Sequence, residues 1–164
     1  MIANCLSIAG SDPSGGAGIQ ADLKAFSARG TYGMAALTAL TAQNTAGVSG
    51  VHLVPPDFVA QQIADVFADV RVDAVKIGMI ATGDIARAVA AALEAHRGIP
   101  IVLDPVMVAK GGASLLDPEA VDALKSELVP LATHLTPNLP EAAALCGTDQ
   151  AETRAEMASQ AEAL

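Results

Sequence analysis

The glycine-dense stretch at 10–26, Gly-Ser-Asp-Pro-Ser-Gly-Gly-Ala-Gly-Ile-Gln-Ala-Asp-Leu-Lys-Ala-Phe, is the part of the chain best suited to chemistry. It follows the apolar run 5–9, which reads as a short buried strand. Ala17, Ile19, Gln20, Leu23 and Phe26 then set up helical spacing, so the loop joins a strand to a helix. Gly15, Gly16 and Gly18 let a ligand approach the main chain closely. The helix begins with unpaired N–H groups and a partial positive charge, which suits an anion or a polar ligand edge. There is no G-x-x-x-x-G-K-[ST], so this is not a Walker A phosphate loop. Gly16-x-Gly18-x-x-Ala21 satisfies the looser dinucleotide fingerprint, but the following strand, about 32–41, carries no acidic residue for a ribose.

Other polar residues have a plain reading beside a chemical one. The Gln43 carboxamide sets an acceptor beside donors, and equally suits tying down a strand end. Asp22, early in the first helix, balances the helix dipole by default. Asp12 before Pro13 fits an Asx-type turn, and Gly10 a strand-end turn. Lys76, between Val75 and Ile77, needs an acidic partner or a path to solvent, so a structural or supporting role is expected and not that of a base. Met79 and Val106 lie just past two apolar runs, where open α/β sheets place ligands; core packing explains them as well. Asn138 with Glu141 three residues on matches an N-cap box, with Pro140 in the first turn.

The elements that position these residues alternate. Strands are expected at 5–9, 74–77, 101–103 and 133–135, with a β-rich segment at 32–54 interrupted at 44–50. Helices are expected at 18–29, at 57–68 capped by Asp57, at 84–96, at 117–128, at 139–146 ending on Gly147, and at 152–164. This order implies βαβ units and an α/β fold with a mainly parallel sheet, and the length suits one domain over 1–164. A 52% hydrophobic composition with mean hydropathy +0.43 suits strands buried on both faces. No apolar stretch reaches membrane-spanning length and no leader pattern stands at the N-terminus, so a cytoplasmic protein with no membrane partner is expected. The net charge of −9 argues against a general nucleic-acid surface, though not against a nucleotide substrate. Cys5 and Cys146 read as small buried thiols, and His52, His96 and His134 are too scattered for a zinc motif.

The segment 9–22, together with Thr38-Ala-Leu-Thr-Ala-Gln-Asn-Thr45, Lys76-Ile-Gly-Met79, Leu103-Asp-Pro-Val-Met107 and Thr136-Pro-Asn-Leu-Pro-Glu141, resembles the hydroxymethylpyrimidine/phosphomethylpyrimidine kinases. These are ribokinase-like enzymes of thiamin biosynthesis, and the five blocks occur here in the family's order. The resemblance implies a three-layer α/β/α sandwich and transfer of the γ-phosphoryl group of ATP to 4-amino-5-hydroxymethyl-2-methylpyrimidine, then to its monophosphate. It implies that Gln43 reads the aminopyrimidine edge and that Gly10 lies against the ring. Met79 and Val106 would wall the ring, and Asp22 would contact the ligand near its hydroxyl or ring. It further implies that Asp104, Asn138 and Glu141 serve the Mg²⁺-ATP side, with Glu141 acting on the metal through water. The family's Gly-x-Gly-Cys anion hole and catalytic residue are expected beyond Leu164, so these residues read as an N-terminal portion inactive by itself. A homodimer is the expected assembly. A pyridoxal kinase of the same superfamily and a non-catalytic pyrimidine-binding protein are the rival readings, with a dinucleotide oxidoreductase a distant third.

Overall fold

A computed structural model describes residues 1–107 and 118–164. The chain runs β1 (Asn4–Ala9), α1 (Gly18–Ala28), β2 (Tyr32–Leu37), β3 (Ala39–Asn44), β4 (Gly47–Leu53), α2 (Pro56–Asp69) and β5 (Ala74–Ile77). It continues through α3 (Gly83–Leu93), β6 (Ile101–Leu103), α4 (Pro118–Ala123), β7 (His134–Leu135), α5 (Leu139–Cys146) and α6 (Arg154–Ala163). Five strands form one parallel sheet in the order β2-β1-β5-β6-β7, and β3 and β4 form a separate antiparallel hairpin.

The two-residue period of the strands sorts their side chains onto two faces. Leu6, Ile8, Val75, Ile77, Ile101 and Leu103 join Val59 and Ile63 of α2 and Ile85, Val89 and Leu93 of α3 in the main core. Each such side chain contributes about 1.5–3 kcal/mol by leaving water. The intervening Ser7 and Lys76 are register partners, and both reach Asp22 on α1. Helices therefore cover both faces, which is the layered α/β arrangement expected. The same parity explains Lys76: its neighbours enter the apolar core, while its own side chain goes to the α1 face and finds an acidic partner.

Strand order also locates the functional edge. From β1 the chain moves to β2 on one side, whereas β5, β6 and β7 are added on the other. Their carboxyl ends diverge at the β1/β5 boundary, where open parallel sheets bind ligands.

Several boundaries differ from expectation. The hairpin turn is confined to Thr45 and Ala46, so most of the anticipated interruption at 44–50 is strand. Asp57 does not cap α2; Pro55 stands at the cap with Pro56 opening the helix, and the Asp57 carboxylate accepts from the N–H of Phe58. Proline is favoured there because its missing N–H would have no helical partner anyway. The helix expected over 84–96 is capped by the Thr82 side chain and tightens to a 3₁₀ turn at Glu94–His96. The helix expected over 117–128 widens to a π turn at Leu124–Leu128, and its residue Asp117 lies outside the described residues. The final helix starts at Arg154 because Thr153 and Glu156 form a reciprocal capping box. Gly147, with φ +67°, ends α5 as its sequence position predicts. Cys5 and Cys146 are free but only half-buried.

Candidate functional site

The loop between β1 and α1 is organised by its own aspartate. Asp12 is 2% exposed. Its Oδ1 accepts from the Ser14 N–H at 2.8 Å and the Ser14 hydroxyl at 2.7 Å. Its Oδ2 accepts from the N–H groups of Gly16 and Ala17 at 3.0 and 2.8 Å. The Asx turn is present, and its carboxylate also takes the two N–H groups of Gly16 and Ala17 just ahead of α1. The Ser14 hydroxyl, helped by these backbone donors and opposed by burial, holds the Asp12 carboxyl below the usual carboxylate range. Gln20 Oε1 accepts from the Asp12 N–H, and the Ile19 N–H donates to the Gly10 carbonyl, which fastens α1 to the end of β1. Gly18 has φ +55°, and a Cβ there would collide with the Gly10 carbonyl oxygen. Only glycine allows this approach.

At the β1/β5 boundary lies a cavity of about 550 Å³, lined by Gly10, Asp22, Gln43, Met79, Asp104 and Val106 among others. That volume lies within the usual range of small-molecule sites. All five residues proposed to touch the substrate thus converge, as does Asp104. Gly10, Met79, Asp104 and Val106 do so because they follow the carboxyl ends of β1, β5 and β6. Gly10 is buried, and a Cβ on it would collide with the Met79 thioether methyl.

Gln43 comes from a different unit, the β3–β4 hairpin. Thr38 separates β2 from β3; it is fully buried and donates from Oγ1 to the Met79 carbonyl at 2.7 Å. The Ser11 N–H donates to Ala39 O, and Thr41 Oγ1 reaches Ser11 O at 2.9 Å and Gln43 Oε1 at 3.2 Å. These bonds hold the inner face of β3 over the glycine loop. Gln43 Nε2 has no partner among the described residues, which leaves it a donor for a ligand.

Asp22 does not balance a dipole, since the first turn of α1 holds no acidic residue. Its Oδ2 instead accepts from Ser7 Oγ at 2.6 Å and from Lys76 Nζ at 3.2 Å. Lys76 also lies 3.7 Å from Asp104 Oδ2, so one ammonium stands between two carboxylates. Ser7, fully buried in β1, is absent from the sequence reading. Its parity with Lys76 across adjacent strands is the signal that finds it.

Asn138 and Glu141 are not among the residues lining the cavity. They follow β7 and form the reciprocal box at the head of α5: the Glu141 N–H donates to Asn138 Oδ1 at 3.0 Å, and the Asn138 N–H donates to Glu141 Oε2 at 2.9 Å. Capping is therefore their visible role. Glu141 Oε1 accepts no hydrogen bond among the described residues, which leaves an oxygen for another partner. No cluster of three or more His, Cys, Asp or Glu positions for a metal ion exists among the described residues. No helix there is long and apolar enough to cross a membrane.

A doubly wound α/β sheet with a cavity at its topological switch point is the arrangement in which open parallel sheets take small ligands. Residues 12–164 match the profile of the phosphomethylpyrimidine kinase family, and the chain belongs to that family. It is 56% identical over 161 residues to the hydroxymethylpyrimidine/phosphomethylpyrimidine kinase of Salmonella typhimurium, covering 98% of this chain and 60% of the relative. The crystal structure of phosphomethylpyrimidine kinase from Clostridium difficile superposes with a TM-score of 0.91 at 46% identity, covering 98% of this chain and 69% of that one. Pyridoxal kinase from Staphylococcus aureus in complex with AMP-PCP and pyridoxal gives a TM-score of 0.86 at 36% identity, covering 99% and 58%. The chain thus spans about three fifths of the length of the curated relative it matches.

Proposed function

We propose that this chain carries the pyrimidine-binding part of a kinase that transfers the γ-phosphoryl group of ATP to 4-amino-5-hydroxymethyl-2-methylpyrimidine and to its monophosphate. The observation that carries this reading is the convergence of Gly10, Asp22, Gln43, Met79 and Val106 on one cavity. Gln43 accepts from the exocyclic amine and donates from Nε2 to the adjacent ring nitrogen. Met79 and Val106 wall the flat ring, and Gly10 lets it lie against the main chain. Asp22 accepts a hydrogen bond from the ligand, orienting its hydroxyl for in-line attack.

Asp104, at the cavity, and Asn138 and Glu141, outside its lining, are assigned to the nucleotide side. Their oxygen donors suit a hard cation that keeps its waters, and the unpartnered Glu141 Oε1 is consistent with a water-mediated contact. Mg²⁺ held by these groups would supply neutralisation of phosphate charge. ATP as co-substrate makes the cytoplasm the compartment of this reading. A homodimer is part of it as well, supported by Val51 and Leu53, 49% and 45% exposed on one face of the hairpin.

Calorimetry tests the substrate class. Hydroxymethylpyrimidine is expected to bind in preference to pyridoxal, and Gln43→Leu to weaken it by about 1–3 kcal/mol, because a polar ligand edge is left unpaired. Tighter pyridoxal binding would move the assignment to pyridoxal phosphorylation. Unchanged affinity in the variant would remove Gln43 from the site.

A further inference from the structure

We infer that Ser7 and Lys76 are positioning residues for Asp22, and that by occupying its Oδ2 they present Oδ1 alone to the hydroxyl of the bound ligand. This rests on the pyrimidine-binding reading above. Ser7 is fully buried, and its hydroxyl donates to Asp22 Oδ2 at 2.6 Å. Lys76 donates to the same oxygen at 3.2 Å. No hydrogen bond reaches Oδ1 among the described residues, and Asp22 lines the cavity. A carboxylate on a helix can swing about its side-chain torsions; two donors from adjacent strands, at positions paired in register, remove that freedom.

The arrangement also has a direction. Lys76 stands between Asp22 and Asp104, 3.7 Å from the latter, so one strand-borne ammonium spaces the hydroxyl-side carboxylate from the carboxylate assigned to the phosphate side. Hydrogen bonds and charge hold this spacing, which a methionine at position 76 would lose while keeping most of the side-chain bulk. Ser7 donates through a single hydroxyl, so Ser7→Ala removes one oxygen atom from an otherwise unaltered strand.

The readout is discrimination between two ligands that differ only at the hydroxyl: 4-amino-5-hydroxymethyl-2-methylpyrimidine and 4-amino-2,5-dimethylpyrimidine. Titration calorimetry on the unaltered chain is expected to favour the hydroxymethyl compound by on the order of tenfold or more, as for a hydrogen bond to a charged group. Ser7→Ala, at a buried residue outside the cavity lining, is expected to reduce that ratio severalfold by weakening the hydroxymethyl compound while leaving the dimethyl compound nearly unchanged, and Lys76→Met, at a residue that lines the cavity, to reduce the ratio in the same direction. Lys76→Arg, which keeps the charge and the donors, is expected to restore most of the ratio. A purely structural role would weaken both ligands alike and leave the ratio intact, and that result would overturn the inference. So would an unaltered chain that binds both compounds equally. Binding of neither compound by the unaltered chain would instead overturn the pyrimidine-binding reading itself, and the inference with it. Far-UV circular dichroism on each variant separates loss of fold from loss of positioning, and Ser7→Ala, the milder change, decides the matter if Lys76→Met does not fold.

Discussion

Replacing Asp12 by asparagine keeps the shape of the loop residue and removes its charge. The carboxylate serves four donors: Ser14 N–H, Ser14 Oγ, Gly16 N–H and Ala17 N–H. An asparagine has one accepting oxygen. Turned toward Ser14, it sets an NH₂ group against the N–H groups of Gly16 and Ala17; turned the other way, it donates to the Ser14 hydroxyl but leaves the Ser14 N–H without an acceptor. One or two donors thus lose their acceptor, at about 1–3 kcal/mol each if fully buried. Gly16 and Ala17 are exposed, so water recovers part of this. The expected net cost is about 1–3 kcal/mol, a sizeable share of a domain stability of roughly 5–15 kcal/mol. Urea denaturation of both proteins at pH 7 measures it.

The pH dependence of Asp12→Asn gives a second check. The folded-state pKa of Asp12 is lowered, so the folded chain binds fewer protons at this group than the unfolded chain. Its stabilisation is present in full above the ordinary value of 3.8 and is lost as pH falls through the lowered folded value. The difference between wild type and Asp12→Asn is therefore expected to be flat above about pH 5 and to shrink in more acidic solution. A difference below about 0.5 kcal/mol at pH 7, within the range of ordinary surface substitutions, would refute the account of Asp12 as the organiser of the loop. So would one unchanged at acid pH.

Glu141→Gln retains an oxygen that accepts the Asn138 N–H, so its melting temperature is expected to stay near wild type. In a protein extended to its relatives' full length, the same change is expected to lower turnover and alter the Mg²⁺ dependence with little effect on pyrimidine affinity. A loss of melting temperature alone would leave capping as the only role of Glu141. Light scattering is expected to give the mass of a homodimer, and Val51→Asp, at a site 49% exposed, to shift it toward monomer without unfolding the chain. A wild-type monomer at micromolar concentration would remove the dimer from the reading.

Much of the architecture was legible in the sequence because local pattern and global fold agree. The runs at 74–77 and 101–103 and the Gly147 stop needed only apolar blocks and punctuation, and each element formed where its residues predicted. The motif blocks were legible as well, since Gly10, Met79, Asp104 and Val106 all sit just past strand ends, where a parallel sheet gathers them on one edge. Boundaries set by cap geometry were not: Asp57, Thr82 and Thr153 compete with neighbours by a hydrogen bond or two, and composition does not rank such competitors.

What tertiary structure alone decided is which groups satisfy one another. The N-terminus of α1 attracts negative charge on general electrostatic grounds, but only the folded loop brings the carboxylate of Asp12 to the N–H groups of Gly16 and Ala17 just ahead of that helix. Asp22 and Lys76 are 54 residues apart, and Ser7 lies in a third segment, so their meeting depends on strand order and on the face to which each strand turns its alternate residues. Gln43 reaches the cavity because Thr38 breaks the strand and folds the hairpin across the glycine loop. Short-range periodicity encodes which elements form. Long-range register and connection order encode which side chains meet, and these are properties of the packed sheet, not of any one segment.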